Sequence, residues 1–238
     1  MTHPLFSHFE LGRQNADQAI LRPNLPSIKS YAHTDEILQL PAPQQITQGL
    51  SSTLLSRSSQ RVFSDQSIDL ETLSTILYWS NADLTEDAAQ ARRAYPSGGA
   101  KYPIELYLFT DQHADLGSSF WHYRPDMHGL EAVTKLTTSD CTDIKHGFGY
   151  DFVAPVRTCI VMSYICERNV PKYGAFGGKL ALIEAGHIAQ NTYTTCAAHN
   201  IGVCALAGGD FAKMDELLYL DGYVESTFYS VAIGLLQE

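Results

Sequence analysis

Lys172 and Tyr173 are adjacent in the sequence P-K-Y-G, where a proline and a glycine restrict the backbone on either side of the pair. An amine beside a phenol can share a proton with it, so the pair could serve as a general base. Most Lys-Tyr dipeptides lie in ordinary exposed loops, so the two residue types alone do not establish this chemistry.

The segment Arg92–Leu108 reads R-R-A-Y-P-S-G-G-A-K-Y-P-I-E-L-Y-L and contains a loop that can neither continue a helix nor pair as a central strand. Two glycines beside a serine offer backbone N–H groups without side-chain bulk, so this loop could lie flat against a ligand and donate to its acceptors. The alternative is a simple turn before a strand. The loop residues are Pro96, Ser97, Gly98, Gly99 and Ala100.

Arg57, Ser59 and Arg61 alternate along the sequence R-S-S-Q-R. In an extended backbone their side chains point to one face. Two guanidinium groups that flank a hydroxyl suit a dianionic phosphate, because arginine forms bidentate, charge-assisted hydrogen bonds. The alternative is a solvated surface segment.

A second run of small residues follows the long apolar segment near residue 200 and could bring backbone N–H groups onto a planar ring. It comprises Ala205, Leu206, Ala207, Gly208 and Gly209. Gln190 and Asn191 precede it on a predicted helix, and His187 lies on the same helix. A lone helical histidine is more often a core residue than a catalyst, so we predict a structural role for His187.

Three strands are predicted, because residues 104–110, 158–165 and 227–235 are rich in β-forming types. These strands would position the candidate residues. The segment 158–165 is apolar or small on both faces, which predicts a central strand. Residues 1–45 carry five prolines and little periodicity, so we predict an extended N-terminal arm followed by one domain over residues 46–238.

Two helices are predicted between these strands. The first has Ser67 or Asp69 as its cap and runs through Leu70, Leu73, Ile76 and Leu77, which fall at helical spacing. The second spans Lys179–His199, and one stripe of it is mostly small, which would let another helix approach closely. That stripe contains Ala181, Ala185, Ile188, Thr192 and Cys196. The mixture of strands and helices predicts an α+β fold.

The composition excludes several classes of function. The chain of 238 residues has a formal net charge of −10, which would repel a phosphate backbone and disfavours nucleic acid as a partner. No apolar run is long enough to span a bilayer, and no signal peptide is visible. The five cysteines lack a C-x-x-C spacing, which argues against a disulfide framework or a metal site and favours the cytoplasm.

The sequence around Pro96–Ala100 closely resembles the flavin-contacting loop of the nitroreductase-like superfamily, in the form found in SagB-type azoline dehydrogenases. The R-x-S-x-R element and the Lys172–Tyr173 pair stand at the places where such enzymes carry them, and the resemblance covers about residues 50–236. One departure is the C-terminal sequence V-A-I-G-L-L-Q-E, which lacks the basic residues of many nitroreductases. Arg92 or Arg93 would then help to hold a phosphate.

The resemblance implies an FMN cofactor and a central, mostly antiparallel sheet surrounded by helices in an intertwined homodimer. It implies that Arg57, Ser59 and Arg61 hold the phosphate and ribityl end of FMN, and that the Pro96–Ala100 loop reaches the flavin bound by the partner subunit. Residues 206–209 would lie near the reactive edge of the flavin. Gln190 and Asn191 would either contact the flavin or satisfy buried backbone groups.

The same resemblance implies the oxidation of peptide azolines to thiazoles or oxazoles during the biosynthesis of a ribosomally made, modified peptide. Lys172 and Tyr173 would be catalytic and would take the proton. The implied partners are a YcaO-type cyclodehydratase and a precursor peptide. Two alternatives remain open: a stand-alone oxidoreductase of this superfamily that uses NAD(P)H, and a flavin-poor subunit that acts as a scaffold in a biosynthetic complex.

Overall fold

The computed structural model describes residues 26–31, 37–86 and 92–237, so most of the predicted arm, including residues 1–25 and 32–36, lies outside the described residues. The elements are, in chain order, β1 (Ile37–Gln39), α1 (Leu50–Ser56), α2 (Leu70–Asn81), β2 (Ile104–His113), β3 (Gly117–Arg124), β4 (Gly129–Lys135), α3 (Thr138–Gly147), β5 (Thr158–Ile165), α4 (Val170–Tyr173), α5 (Phe176–Ala198), β6 (Gly202–Leu206), α6 (Phe211–Leu217) and β7 (Glu225–Gly234). The predicted α+β class is confirmed.

One seven-stranded sheet organises the described residues, in the order β1-β4-β3-β2-β5-β7-β6. Every neighbouring pair is antiparallel. The strand predicted over residues 158–165 is β5; it lies inside the sheet and is buried at every position. This burial explains why its sequence is apolar or small on both faces.

The two predicted helices form with small changes at their ends. Asp69 caps α2, because its side chain accepts a hydrogen bond from the Thr72 N–H at 2.7 Å. The long helix α5 begins three residues earlier than predicted, at Phe176. No described helix combines the length and the apolar character that crossing a bilayer requires.

Helices α2 and α5 pack together on one face of the sheet. The small-residue stripe of α5 is buried against this face, and the Thr192 hydroxyl lies 2.9 Å from that of Ser80 on α2. On the other face, α3 and α6 cover a second apolar cluster that includes Phe109, Phe120 and Met214. The small side chains let the α2 and α5 backbones approach closely.

The described part of the N-terminal arm inserts polar side chains into the second face. Lys29 Nζ lies 2.7 Å from Glu225 Oε2 and donates to the Tyr107 hydroxyl at 2.7 Å. The Tyr31 hydroxyl donates to the Leu218 carbonyl at 3.0 Å. Farther along, β1 pairs with β4 at the edge of the sheet. These contacts attach the described residues of the arm to the sheet, while the boundary at residue 45 stays a prediction.

Candidate functional site

The Pro96–Ala100 loop and the Lys172–Tyr173 pair meet at Gly99. A Cβ atom built on Gly99 would lie 2.5 Å from the Tyr173 hydroxyl oxygen and 2.7 Å from Lys172 Nζ. Gly99 also has a φ of 64°, a conformation that side chains disfavour. Both the lack of space and the positive φ therefore require glycine at this position. The structure thus brings together two motifs that are more than seventy residues apart in the sequence.

The backbone of the Pro96–Ala100 loop and of the residues just after it adopts several positive φ angles. Besides Gly99, Ala100 and Tyr102 have positive φ angles of 53° and 45°, although both carry side chains. Two hydrogen bonds hold this conformation: the Tyr102 N–H donates to Ser97 Oγ at 2.9 Å, and Arg168 Nη1 donates to the Tyr102 carbonyl at 2.7 Å. Backbone strain of this kind, maintained by surrounding contacts, is typical of functional sites.

The sequence predicted that the N–H groups of the loop could donate to a ligand. The Gly98 N–H instead donates to Glu184 Oε1 on α5 at 3.1 Å. Glu184 is buried, and burial raises its pKa to about 7 against the opposing effects of Ser97, the Gly98 N–H and Arg93. Glu184 was not predicted from the sequence, although it lies beside Ala181 and Ala185 on the buried stripe of α5.

The Lys172–Tyr173 pair lies in the short helix α4 rather than in a loop. Pro171 stands in its first turn, and Gly174 ends it with a φ of 55°. Lys172 is exposed, and its Nζ lies 5.2 Å from the centroid of the half-buried Tyr173 ring. Within the described part of the chain, the Lys172 ammonium forms no ion pair with a carboxylate. The polar atoms of the pair therefore lie against Gly99, while the Lys172 side chain is also exposed to solvent.

A second cluster forms around Tyr193 of α5. The Tyr193 hydroxyl lies 3.0 Å from Ser59 Oγ and accepts a hydrogen bond from the Ala205 N–H at 2.8 Å. The Arg57 guanidinium carbon lies 5.7 Å from the centroid of the same ring, within cation–π range. Tyr193, which the sequence analysis did not select, therefore fixes Arg57 and Ser59 against the edge strand β6.

The third residue of the arginine segment, Arg61, lies over the Phe152 ring, with its guanidinium carbon 5.9 Å from the centroid. Neither Arg57 nor Arg61 is ion-paired with a carboxylate of the described ranges. Arg93 cannot assist them, because its buried guanidinium donates to Asn81 Oδ1 and to the Ser27 carbonyl. Arg92 is exposed.

The predicted loop near residue 206 is shorter than expected. Ala205 and Leu206 are the last residues of β6, and the Leu206 side chain is fully buried in the core. Ala207, Gly208 and Gly209 form the actual loop, which is exposed or half-buried and leads into α6. Only backbone groups of Leu206 are left to meet a ligand, and the place of residues 206–209 near a flavin stays a prediction.

The three polar residues that the sequence singled out on α5 lie in different environments. Asn191 Nδ2 donates to the Ala94 carbonyl at 3.0 Å, which satisfies a backbone group ahead of the loop. Gln190 is exposed and donates to Thr194 Oγ1 at 3.3 Å. His187 is exposed as well, so it does not lie in the core of the chain, and its structural role stays a prediction.

The two clusters lie at different places along α5. Glu184 supports the Pro96–Ala100 loop and Tyr193 supports the arginine segment, and nine residues of helix correspond to a rise of about 13 Å and a rotation of about 180°. Among the described residues, no hydrogen bond or ion pair joins one cluster to the other. A single chain therefore presents two separate clusters of candidate site residues.

A sequence profile described as the nitroreductase family matches residues 54–235. The nitroreductase-like protein MJ1384 of Methanocaldococcus jannaschii is 24% identical over 193 residues, which cover 78% of this chain and 91% of that protein. The microcin B17-processing protein McbC of Escherichia coli is 32% identical over 115 residues, or 47% of this chain and 42% of McbC.

Three solved structures have the same fold. A nitroreductase-like protein of Ralstonia eutropha superposes with a TM-score of 0.73 at 22% identity, over 91% of this chain and 97% of that one. A chain of the Escherichia coli microcin synthetase McbBCD complex, solved with truncated pro-MccB17 bound, gives 0.64 at 22% identity over 95% and 87%. A Desulfovibrio desulfuricans protein in complex with FMN gives 0.55 at 16% identity over 80% and 88%.

Proposed function

Because this chain belongs to the nitroreductase family, we propose that it is an FMN-dependent oxidoreductase that converts peptide azolines to azoles. The observation that supports this proposal is the close approach of Gly99 to the polar atoms of Lys172 and Tyr173, because the pair then lies against the glycine loop of a nitroreductase-family chain. A pair without such a neighbour would be an ordinary exposed dipeptide.

The residues around Tyr193 fit FMN. Arg57 and Arg61 retain uncompensated charge within the described part of the chain, and Ser59 offers a hydroxyl between them. Such a group suits the phosphate of FMN, especially in a chain with a net charge of −10. When bound, FMN supplies a hydride acceptor.

The azoline ring must lose a proton and a hydride from adjacent carbons, so that their single bond becomes a double bond of the aromatic azole. We assign the proton to Lys172 or Tyr173, whose polar atoms lie on the side of α4 that faces the Gly99 turn. Oxygen is the proposed terminal oxidant. The chain itself provides position and a proton acceptor.

The azoline substrate is favoured by the likeness to the microcin B17-processing protein and to a chain of the microcin synthetase complex. By the same argument, we propose that a cyclodehydratase and a precursor peptide are partners. The Lys172–Tyr173 pair is the feature that favours this substrate over the quinones and nitro compounds of a stand-alone NAD(P)H-dependent enzyme.

We also propose that two copies of this chain complete the site. Leu54 and Leu55 of α1 are 50% and 88% exposed, and Leu182 and Ile183 of α5 are 37% and 48% exposed. Exposed apolar residues clustered on neighbouring helices mark an interaction surface. A twofold interface could bring the arginine segment of one copy to the glycine loop of the other.

The test is to mix the FMN-loaded protein anaerobically with a thiazoline- or oxazoline-containing peptide and to follow the flavin absorption band. The proposal expects bleaching together with a product lighter by two hydrogens. Rapid bleaching by NADH or NADPH, with no reaction of the azoline, would contradict it and favour the nitroreductase alternative. A protein that stays colourless after FMN supplementation would favour the scaffold alternative.

A further inference from the structure

We propose that Glu184 is a positioning residue whose carboxylate holds the Ser97–Gly99 turn against Lys172 and Tyr173, and that protonation of Glu184 loosens this hold. The part that concerns catalysis rests on the proposed function. The part that concerns the turn depends only on contacts within the chain.

The start of the turn is bonded to Glu184. The Gly98 N–H donates to Oε1 at 3.1 Å. The neighbouring Ser97 Oγ accepts from the Tyr102 N–H at 2.9 Å and so ties the start of the turn to its end. Glu184 thereby holds the first residues of a segment in which Gly99, Ala100 and Tyr102 have positive φ angles.

The turn has little room to move toward α5. A Cβ atom on Gly98 would lie 3.1 Å from Leu180 Cδ1, and Leu180 stands one helical turn before Glu184. On its other side, Gly99 abuts the Tyr173 hydroxyl. A small displacement of the turn would therefore change the space beside the Lys172–Tyr173 pair directly.

The surroundings of Glu184 make its charge sensitive to pH near neutrality. The side chain is 97% buried, and its Oε2 atom has no hydrogen-bond partner among the residues that the structure describes. Among the described residues, Arg93 is a cation that interacts with this carboxyl group, and the phenols of Tyr95 and Tyr164 interact with it as well. Burial raises the pKa of Glu184 to about 7, so both forms are populated near neutral pH.

Ionised Glu184 accepts a charge-assisted hydrogen bond from the Gly98 N–H, which is about twice as strong as a neutral one. Protonation leaves a neutral acceptor and weakens this bond. The turn is thus held firmly above the pKa and loosely below it. Glu184→Gln reproduces the loosely held state at every pH, and Glu184→Ala removes the acceptor altogether.

The decisive measurement is the amide shift of Gly98 in the FMN-loaded protein, with selective nitrogen-15 labelling of glycine, between about pH 5 and about pH 9. In the unsubstituted protein, we expect the shift to titrate with a midpoint near the Glu184 pKa of about 7. Glu184→Gln should abolish this titration, and Glu216→Gln, which removes a charge from an exposed side chain, should retain it. A flat profile, or one that persists in Glu184→Gln, would overturn the proposal.

The catalytic consequence needs a second readout. With an azoline peptide, Glu184→Ala should lower kcat by about 10-fold to 100-fold at alkaline pH with little change in FMN content, because the pair and the turn are misplaced. In Glu184→Gln, the inflection of kcat near neutral pH should disappear. If azolines do not react at all, the proposed function fails while the Gly98 titration still decides the role of Glu184.

Discussion

Gly99 and Tyr173 approach so closely that no side chain fits between them, since a Cβ on Gly99 would lie 2.5 Å from the phenolic oxygen. The loop and the pair are therefore one structural unit. Because α4 is anchored by Asn169, whose side chain bonds the Tyr164 hydroxyl and the Gly177 carbonyl, the pair cannot simply withdraw.

We expect Gly99→Ala to lower azoline oxidation by at least about 10-fold, because the new methyl group would displace Lys172 or Tyr173. Gly117→Ala is the matched control: Gly117 has nearly the same φ, 65° against 64°, but nothing lies within 4 Å of a Cβ there. Equal activities of the two variants, measured by mass spectrometry of the peptide, would contradict the expected displacement of Lys172 or Tyr173.

Arg57→Ala should weaken FMN binding by about 10-fold to 100-fold, because a charge-assisted hydrogen bond contributes about 1.5–3 kcal/mol. Tyr193→Phe should also weaken it, since the hydroxyl that binds Ser59 and the Ala205 N–H is lost. Dissociation constants from fluorescence titration test both variants. Lys135→Ala removes an exposed positive charge elsewhere and should leave the constant unchanged.

The stability of the protein should fall as the pH rises from about 4.5 to about 7, on account of Glu184. Its pKa is raised by burial from 4.5 to about 7, so the folded state binds a proton that the unfolded state has released. The loss is on the order of 3 kcal/mol and is complete above the folded pKa. Urea denaturation at several pH values should show this fall in the unsubstituted protein and its absence in Glu184→Gln; the same fall in both would contradict the assignment.

Lys29→Ala should lower the free energy of unfolding by about 1–3 kcal/mol, because the Glu225 carboxylate would lose its cation. The Tyr107 and Ser163 hydroxyls, at 2.7 and 2.6 Å from Oε1, limit the loss because they still donate to that carboxylate. Urea midpoints provide the measurement, with Lys135→Ala as the exposed control. An unchanged midpoint would mean that the described arm residues contribute little to folding.

The sequence predicted those parts of the fold that depend on local patterns. The Asp69 cap, the two-sided apolar strand β5 and the small-residue stripe of α5 each follow from residue types at fixed spacing. The nitroreductase-like architecture was likewise identified from the Pro96–Ala100 motif, and the family profile confirms it.

Contacts between distant segments could not be predicted in the same way. Glu184 receives the Gly98 N–H from 86 residues away, and Tyr193 meets Ser59 across 134 residues. One signal did exist: Glu184 falls on the buried stripe between Ala181 and Ile188, where a carboxylate needs a partner. The exposure of His187 could not be predicted either, because it depends on which face of α5 packs against the rest of the chain.

The central claim is that Lys172 and Tyr173 accept the proton of an azoline beside the Gly99 turn. The most direct measurement is azole formation by FMN-loaded Lys172→Ala and Tyr173→Phe, with the flavin content of each variant determined in the same samples. We expect both variants to lose azole formation while they retain FMN. Turnover of the azoline peptide by both variants at the rate of the unsubstituted protein would contradict the claim.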